Sequence, residues 1–313
     1  MKKNVLIAGG AGFVGANLCQ KILLAGDNVI CVDDLSTGST RNISSLLGQP
    51  NFTFIEHDIT HVLKINKPID QIYNLACPAS PPKYQKNPIK TLKINFQGTI
   101  NLLELAKEKQ SSFLFASTSE VYGDPEVHPQ DESYRGSVNT VGKRACYDEG
   151  KRIAETLCYE FNKVCNLDVK IVRIFNTYGP LMDPDDGRVI SNFIMQALRN
   201  EDITIYGDGT QTRSFQFVDD LVSGLFKYMD STEKYLGPIN MGNPVEFTML
   251  ELAKLVLSLI PESKSKIKFL TLPDDDPKRR KPCIKLASKR LKWTPEVSLE
   301  IGLGKTIKYF RSF

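Results

Sequence analysis

The fold is decided by residues 4–34, NVLIAGGAGFVGANLCQKILLAGDNVICVDD. They begin with the apolar run of a buried strand, and Gly9, Gly12 and Gly15 follow before a helical pattern over 13–25. A second apolar strand then ends in two aspartates. This order of strand, glycine-rich turn, helix, strand and acid is typical of a dinucleotide-binding unit. We therefore predict an α/β fold built on a Rossmann-type, doubly wound parallel sheet.

The same segment predicts NAD as the cofactor. The glycines let the backbone approach a pyrophosphate, and the start of the helix adds amide donors. An acid about 20 residues after the glycines accepts both ribose hydroxyls and repels a 2′-phosphate, which favours NAD over NADP. Arg41 could meet a 2′-phosphate, although a solvated loop arginine is the simpler interpretation. The candidate cofactor-binding residues are Gly9, Gly12, Phe13, Val14, Gly15, Asp33, Asp34, Asp58, Ile59, Leu75, Ala76, Tyr147 and Lys151.

The alternation of strands and helices continues along the chain. We expect strands over 52–58, 71–77, 112–118 and 168–176 and one long amphipathic helix over 88–109. The proline-rich CPASPP, residues 77–82, is expected to exclude a helix and form a rigid loop. After residue 176 the rhythm changes and no second glycine motif appears. We predict an NAD-binding domain over 1–176, with 212–240 interleaved into it, and a smaller mixed α/β substrate lobe from 177–211 and 241–313.

A second informative segment is RACYDEGKRIAET, residues 144–156. Tyr147 and Lys151 are four residues apart in a helical pattern, so their side chains share a face. An ammonium beside a phenol favours the phenolate, and we expect a lowered pKa and a base. Ile153, Leu157 and Phe161 are expected to bury the helix. The alternative is an ordinary amphipathic helix in which this spacing arose by chance.

Composition limits the possible partners. The chain has 313 residues and a net charge of +4, too small to indicate nucleic acid or an anionic membrane as a partner. No run approaches the ~20 apolar residues of a membrane span, and glycines interrupt the apolar N-terminal run. The seven cysteines include no CxxC and no Cys/His cluster with metal spacing, so we expect free thiols in a reducing compartment and no metal site. The cytoplasm is the expected location.

Four motifs, GGAGFVG, TSEVYG, YDEGK and RIFNTYGP, resemble the extended short-chain dehydrogenase/reductase family. Further segments, including NPIKTLKIN, DGRVISNFI and DPKRRKP, are similar to its subfamily that converts UDP-glucuronate to UDP-xylose. The resemblance covers essentially the whole chain. It implies a Rossmann sheet with a nucleotide-sugar lobe, tightly held NAD, and a homodimer built on two helices from each subunit.

The resemblance also implies a reaction. Tyr147 would remove the proton of the sugar 4-hydroxyl as hydride passes to NAD, and Lys151 would hold the nicotinamide ribose. The 4-ketone lies β to the sugar carboxylate, so carbon dioxide can leave, and protonation at C5 and return of the hydride give a pentose. Thr118 would hydrogen-bond the same hydroxyl. Dehydratase relatives carry Asp-Glu after that threonine and epimerases carry small residues, whereas this chain has Ser119 and Glu120, and Glu120 would orient a water or the C5 region.

The implied catalytic residues are Tyr147, Lys151, Glu120, Thr118, Ser119 and Arg280. Arg280 would meet the sugar carboxylate, with Arg279 as the alternative one residue away, and a solvated basic loop is the simpler interpretation of both. The implied substrate-binding residues are Glu120, Asn176, Arg188, Tyr206, Gln211, Arg213 and Arg280, with Arg188 and Arg213 at the uridine diphosphate and Tyr206 and Gln211 at its uridine end.

The chain departs from the family pattern at Leu181, Cys283 and Cys77. Five other functions stay open. They are a nucleotide-sugar 4-epimerase, a 4,6-dehydratase, an oxidative decarboxylase that releases a 4-keto pentose, a non-catalytic dinucleotide sensor, and a purely structural interaction protein, which the polar residues at the strand ends disfavour.

Overall fold

The computed structural model describes residues 2–271 and 279–313, with only the backbone of residue 279. The strands are β1 Asn4–Ala8, β2 Asn28–Asp33, β3 Phe52–Glu56, β4 Gln71–Asn74, β5 Ser112–Thr118, β6 Val169–Ile174, β7 Thr177–Tyr178, β8 Ile203–Tyr206, β9 Thr212–Ser214, β10 Gln216–Phe217, β11 Ile239–Met241, β12 Glu246–Thr248, β13 Ile267–Leu270 and β14 Arg279–Arg280. The α-helices are α1 Phe13–Leu24, α2 Thr40–Ile43, α3 Pro81–Lys86, α4 Pro88–Lys93, α5 Thr99–Lys109, α6 Ala145–Cys165, α7 Val189–Leu198, α8 Val218–Asp230, α9 Met249–Leu259, α10 Lys285–Leu291 and α11 Leu299–Phe310.

Within the described residues, seven strands form the main sheet in the order β11-β6-β5-β4-β1-β2-β3. All of its neighbouring strands pair in parallel. The central strands are buried because helices cover both faces, and an apolar core lies on each side. The predicted α/β fold with a doubly wound parallel sheet is therefore confirmed. Among the helices that the structure describes, none combines the length and apolar composition needed to traverse a lipid bilayer.

Smaller sheets occupy the second half of the chain. β8 pairs with β13, and β7 pairs with β10. β9 lies between β12 and β14, and this arrangement sets Arg280 beside Arg213 in the register of two parallel strands. β14 follows β9 by about 70 residues in the chain. Their pairing brings Arg280 to a position where its side chain can contact the main sheet.

Four strands of the main sheet end earlier than the sequence suggests. β2 ends at Asp33, β3 at Glu56, β4 at Asn74 and β6 at Ile174, so the expected strand ends at residues 34, 58, 77 and 176 were wrong. The carboxylate of Asp34 accepts a hydrogen bond from the backbone N–H of Ser36 at 3.0 Å, and that of Asp58 accepts from Thr60 at 2.9 Å. Such local turns compete with strand pairing and end the strand.

The proline-rich segment 77–82 contains the start of a helix. Pro81 and Pro82 occupy the first turn of α3, so the expectation of a helix-free loop was wrong. Proline is tolerated there because the first amides of a helix have no acceptor within it, and the proline ring already has a helical φ.

The helical segment over 88–109 is not a single α-helix. A π-helical turn, Ile94–Gly98, separates α4 from α5. Within it the buried Asn95 donates through Nδ2 to the carbonyl of Thr91 at 3.0 Å and to Sγ of Cys77 at 3.2 Å. Gly150 of α6 faces this amide so closely that a Cβ there would lie 2.9 Å from Nδ2. The turn therefore brings a polar side chain against the helix that carries Tyr147.

Helix α6 buries a face beside the one expected: Leu157 and Phe161 are half-buried against the core, but Ile153 is not. Ile153 is 42% exposed, whereas Ala154 and Cys158 are fully buried together with Tyr147 and Lys151. Small side chains line the buried face because α6 packs closely over β5 and β6. The expectation that Ile153 buries the helix was therefore wrong, and the Tyr147 and Lys151 pair faces the protein interior.

Candidate functional site

The centre of the candidate site lies where β5 ends. Its last residue, Thr118, accepts a hydrogen bond through its side chain from the backbone N–H of Glu120 at 3.3 Å, and a 3₁₀ turn follows over Ser119–Tyr122. Ser119 is 2% exposed. This turn presents three consecutive polar residues at the carboxyl edge of a parallel sheet, which is where open α/β sheets bind ligands.

Tyr147 lies beside this turn, in the first part of α6. Its side chain is buried, and its ring stacks on that of Tyr84 with centroids 4.8 Å apart and planes 7° from parallel. Burial, with a smaller contribution from Cys77, raises the pKa of Tyr147 well above its usual value, although the Thr118 hydroxyl acts in the opposite direction. The expectation of a lowered pKa was wrong for this structure, because the loss of solvation outweighs the nearby groups that favour a phenolate.

Lys151 is one turn further along the buried face. Its ammonium donates to the carbonyl oxygen of Ala116 at 2.8 Å and lies 5.8 Å from the ring centroid of Tyr147. Burial lowers the pKa of Lys151, since it disfavours the charged form. The pair is thus brought together as predicted from the spacing, but the strand carbonyl, and not the phenol, holds the ammonium.

Glu120 is held between two arginines. Its Oε1 pairs with Arg280 and its Oε2 with Arg144. Burial alone would raise the pKa of Glu120, but the two guanidinium groups outweigh it and hold the pKa below its usual range. The carboxylate is therefore ionised at neutral pH. This contact joins the end of β5 to β14, 160 residues later in the chain.

Asp148 is a further acid beside this cluster. Its Oδ2 is 3.9 Å from Nε of Arg144, and its side chain is 9% exposed. Burial, and then the charge of Glu120, raise the pKa of Asp148 to about 7. A group with that pKa exchanges its proton near neutrality, which distinguishes it from an ordinary surface aspartate.

The glycine-rich turn has the shape that a pyrophosphate requires. Gly9 has a φ of +77°, and a Cβ on Gly15 would lie 2.1 Å from the carbonyl oxygen of Gly9. A Cβ on Gly9 would lie 2.8 Å from both Ala76 and Leu75 backbone atoms. The amides of the first turn of α1, which includes Phe13 and Val14, point out of the helix. These residues, with Gly12 capping the helix, fit a dinucleotide.

The predicted acids occupy the edge beside this turn. Asp33 is buried, and its carboxylate accepts from the backbone N–H of Ala11 at 3.0 Å and of Leu35 at 2.9 Å. Asp34 and Asp58 both pair with Lys90, at 2.8 and 3.3 Å. Asp33 thus lies against the glycine turn, while a lysine partly neutralises the other two.

Two further residues named from the sequence are Ile59, from the candidate cofactor set, and Arg41, which was considered for a 2′-phosphate. Ile59 is buried, and its carbonyl accepts from Asn101 at 2.8 Å. Arg41 stacks on the ring of Phe313 at 3.7 Å, so its guanidinium already has an aromatic partner.

The substrate-side candidates are divided among several elements. Gln211 donates through Nε2 to the carbonyl of Tyr206 at 2.6 Å, which places these two together. Arg213 lies beside Arg280 in paired strands.

Two other substrate candidates lie at the borders of elements. Arg188 pairs with Asp186 just before α7, and the backbone carbonyl of Asn176 accepts from Gln216 at 2.8 Å. The side chain of Arg279 and residues 276–278 of the DPKRRKP motif lie outside the described part of the structure.

Sequence reasoning missed several residues of this site. Arg144 precedes Tyr147 by three residues, one helical turn, so its spacing could have revealed it. Asp148 is four residues after Arg144, so helical spacing could have paired them, but its raised pKa depends on burial. Lys90 carried no such signal, because its partners Asp34 and Asp58 are far away in sequence. Tyr84 was missed because its stacking partner lies in another helix.

Three comparisons with known proteins extend these observations. The model of the "NAD dependent epimerase/dehydratase family" matches residues 5–242. The chain is 54% identical to UDP-glucuronic acid decarboxylase 1 of Danio rerio, over 99% of this chain and 73% of that protein. It is 53% identical to UDP-glucuronic acid decarboxylase 4 of Arabidopsis thaliana, over 98% of this chain and 68% of that protein.

Solved structures agree with this relationship. An epimerase from Methanothermobacter thermautotrophicus superposes with a TM-score of 0.91 at 30% identity, covering 99% of this chain and 93% of its own. UDP-glucuronic acid 4-epimerase from Bacillus cereus, solved with UDP-glucuronic acid and NAD, has a TM-score of 0.87 at 30% identity and covers 99% of both chains. Because the family model matches most of the chain and relatives more than half identical cover nearly all of it, the protein belongs to the NAD dependent epimerase/dehydratase family.

Proposed function

We propose that the protein decarboxylates UDP-glucuronate to UDP-xylose through a 4-keto intermediate, with NAD as a catalytic cofactor. One observation carries this function: identity of more than 50% over nearly the whole chain to proteins named as UDP-glucuronic acid decarboxylases. When bound, NAD supplies the acceptor and then the donor of the hydride at C4 of the sugar. The glycine turn and Asp33 would hold it, since their geometry fits a pyrophosphate and a ribose.

In this proposal the polar groups at the end of β5 transfer the proton of the sugar 4-hydroxyl. Tyr147 removes and returns that proton, and Thr118, whose hydroxyl already influences the Tyr147 phenol, shares it. Lys151 lies within 5.8 Å of the phenol ring and supports both the base and the cofactor ribose. The stack on Tyr84 keeps the phenol from rotating out of position.

The sugar carboxylate requires a cation, and Arg280 is the proposed one. It lies at the end of β5 through its pair with Glu120, and a guanidinium binds carboxylates bidentately. Ser119 stands where dehydratases carry an acid, so the group needed to expel water from C6 is replaced by a hydroxyl. Glu120 would orient the water or the C5 carbon when the proton returns.

The second half of the chain would bind the nucleotide. The proposed contacts to the uridine diphosphate come from Arg188 and Arg213, with Asn176 near the phosphates or sugar. Gln211 and Tyr206, whose backbone carbonyl accepts from the Gln211 amide, would lie at the uridine end. This arrangement follows the proposed division into an NAD-binding domain and a nucleotide-sugar lobe.

We also propose a homodimer. Apolar side chains are exposed on two helical segments that pack together, with Ile89, Leu92 and Phe96 on one and Ile153 and Tyr159 on the other. A second copy would cover both segments. Phe96→Glu should then yield monomers in sedimentation velocity experiments, whereas Leu24→Glu, on α1, should sediment as wild type. A Phe96→Glu variant that sediments like wild type would refute this interface.

The cytoplasm is the proposed location, because the seven cysteines, as free thiols, suit a reducing compartment.

The reaction is tested with UDP-glucuronate carrying deuterium at C4. Incubation with the protein and NAD in water should release carbon dioxide and give UDP-xylose that retains the deuterium, as measured by mass spectrometry. A 4-keto pentose with NADH would indicate an oxidative decarboxylase. An epimer that keeps C6 would indicate a 4-epimerase, and a product lacking water would indicate a dehydratase. Arg280→Ala should abolish conversion, whereas Arg290→Ala, at a surface ion pair with Glu233, should not.

A further inference from the structure

The cluster at Glu120 contains more positive than negative charge. One carboxylate is bonded to two guanidinium groups, through Oε1 to Arg280 and through Oε2 to Arg144. The three side chains are only 13%, 8% and 28% exposed, respectively. A guanidinium has five N–H donors, and each contact to Glu120 uses at most two of them. Donors on both arginines therefore remain for a second acceptor.

Asp148 does not fully balance this excess charge. Its Oδ2 is 3.9 Å from Nε of Arg144, which is an ion-pair distance but not a hydrogen bond. Burial and the charge of Glu120 raise its pKa to about 7, so Asp148 is substantially protonated at neutral pH. A partly buried site with an uncompensated guanidinium is complementary to one additional carboxylate.

Arg144 is placed to reach the substrate. It immediately precedes α6 and lies three residues, one helical turn, before Tyr147. Its partner Glu120 follows Thr118 by two residues, so the guanidinium lies beside the groups that act on the sugar. Its side chain is also the most exposed of the three in the cluster.

We propose that Arg144 and Arg280 together bind the C6 carboxylate of the sugar, and that Arg144 makes the site selective for acidic nucleotide sugars. This inference rests on the proposed function. Each arginine would bond both Glu120 and the substrate carboxylate, so the substrate carboxylate would have no ion pair of its own. That sharing matters for the reaction: the C5–C6 bond breaks, its electron pair passes to C5 and into the 4-ketone as an enolate, and carbon dioxide leaves. An exclusive ion pair would stabilise the starting carboxylate more than the transition state and slow this step.

The test compares two ligands that differ by the carboxylate. Binding of UDP-glucuronate and UDP-xylose to the NAD-loaded protein is measured by calorimetry in a Tyr147→Phe background, so that no turnover occurs. Arg144→Gln should weaken UDP-glucuronate binding about 10- to 100-fold, the effect of losing a charge-assisted pair, and change UDP-xylose binding less than about twofold. The matched control, Arg290→Gln, should change neither.

Arg144→Lys keeps the charge but loses the planar fork, so its loss of UDP-glucuronate binding should be smaller than that of Arg144→Gln. Arg144→Lys also serves as the test if Arg144→Gln does not fold. A loss of binding by this variant that is confined to UDP-glucuronate would support the inference. Equal weakening of both ligands would overturn it and make Arg144 a support for Glu120 only. Unchanged binding of both would overturn it too. These results differ from failure of the proposed function, in which the wild-type protein forms no UDP-xylose.

Discussion

Replacing Asp148 by asparagine should stabilise the protein by an amount that grows as the pH rises from about 5 to about 8. The pKa of Asp148 in the folded protein is about 7, compared with an ordinary value of 3.8. Because the folded-state pKa is the higher one, the folded state favours the protonated acid. The stability linked to this proton is fully present below about pH 4 and is lost as the pH rises through about 7.

The magnitude follows from the pKa difference. At high pH the wild-type protein carries a buried charge that costs up to about 4 kcal/mol relative to the unfolded chain. More than half of that cost, roughly 2.6 kcal/mol, develops between about pH 5 and about pH 8. Asparagine has no such charge, and any hydrogen-bonding defect of its amide does not vary with pH. The difference in free energy of unfolding between the variant and wild type therefore varies with pH only through the carboxylate of Asp148.

The assay is urea unfolding of both proteins at fixed concentration across that pH range, since association would otherwise shift the apparent stability. Asp131→Asn is the control, because hydrogen bonds from Ser133 hold the pKa of Asp131 below its usual value and keep it ionised over this range. Its free energy of unfolding should differ from that of wild type by an amount that does not change with pH. If the difference in free energy of unfolding between Asp148→Asn and wild type stays constant or shrinks as the pH rises, Asp148 does not have a raised pKa.

Three further predictions concern Tyr147, Tyr84 and the glycine turn. Tyr147→Phe should lose turnover by at least about 100-fold while NAD binding, measured by fluorescence titration, stays within about threefold. Tyr84→Phe should unfold at or above the wild-type temperature because the Tyr84 hydroxyl is buried with no hydrogen-bond partner among the described residues, whereas Tyr84→Ala should cost about 3 kcal/mol or more in calorimetry. Gly15→Ala should abolish NAD binding in the same titration, because its Cβ would lie 2.1 Å from a backbone oxygen, whereas Gly304→Ala, which faces open space within α11, should be neutral or stabilising.

The elements that sequence predicted well are those encoded over short distances. The strand and glycine turn that form β1 and the start of α1 depend on neighbouring residues, so their pattern was sufficient. Tyr147 and Lys151 were placed on one face by helical spacing alone. The burial of Ile153 was mispredicted, because the residues that bury α6 most completely, Ala154 and Cys158, are small and contribute little to a hydropathy pattern.

Contacts between distant segments could not be derived from local patterns. Glu120 and Arg280 are 160 residues apart, and only the family resemblance suggested that both serve one site. The stack of Tyr84 on Tyr147 and the π-turn at Asn95 depend on how helices meet. The pKa of Tyr147 was mispredicted for the same reason: sequence shows the neighbouring lysine but not the extent of burial.

An ion pair between Glu120 and Arg280 joins the two halves of the chain, and neither charge would be well stabilised without the other. Glu120 lies in the turn that follows β5 of the parallel sheet and would be a poorly solvated carboxylate there without a cation. Arg280 belongs to β14, which reaches this position by pairing with β9. Their ion pair therefore stabilises the contact between the sheets and also places a guanidinium at the turn that follows Thr118. Because the same guanidinium is needed by both the fold and the proposed carboxylate site, loss of Arg280 should affect stability and activity together, whereas Arg144, which is more exposed, should separate substrate selectivity from folding.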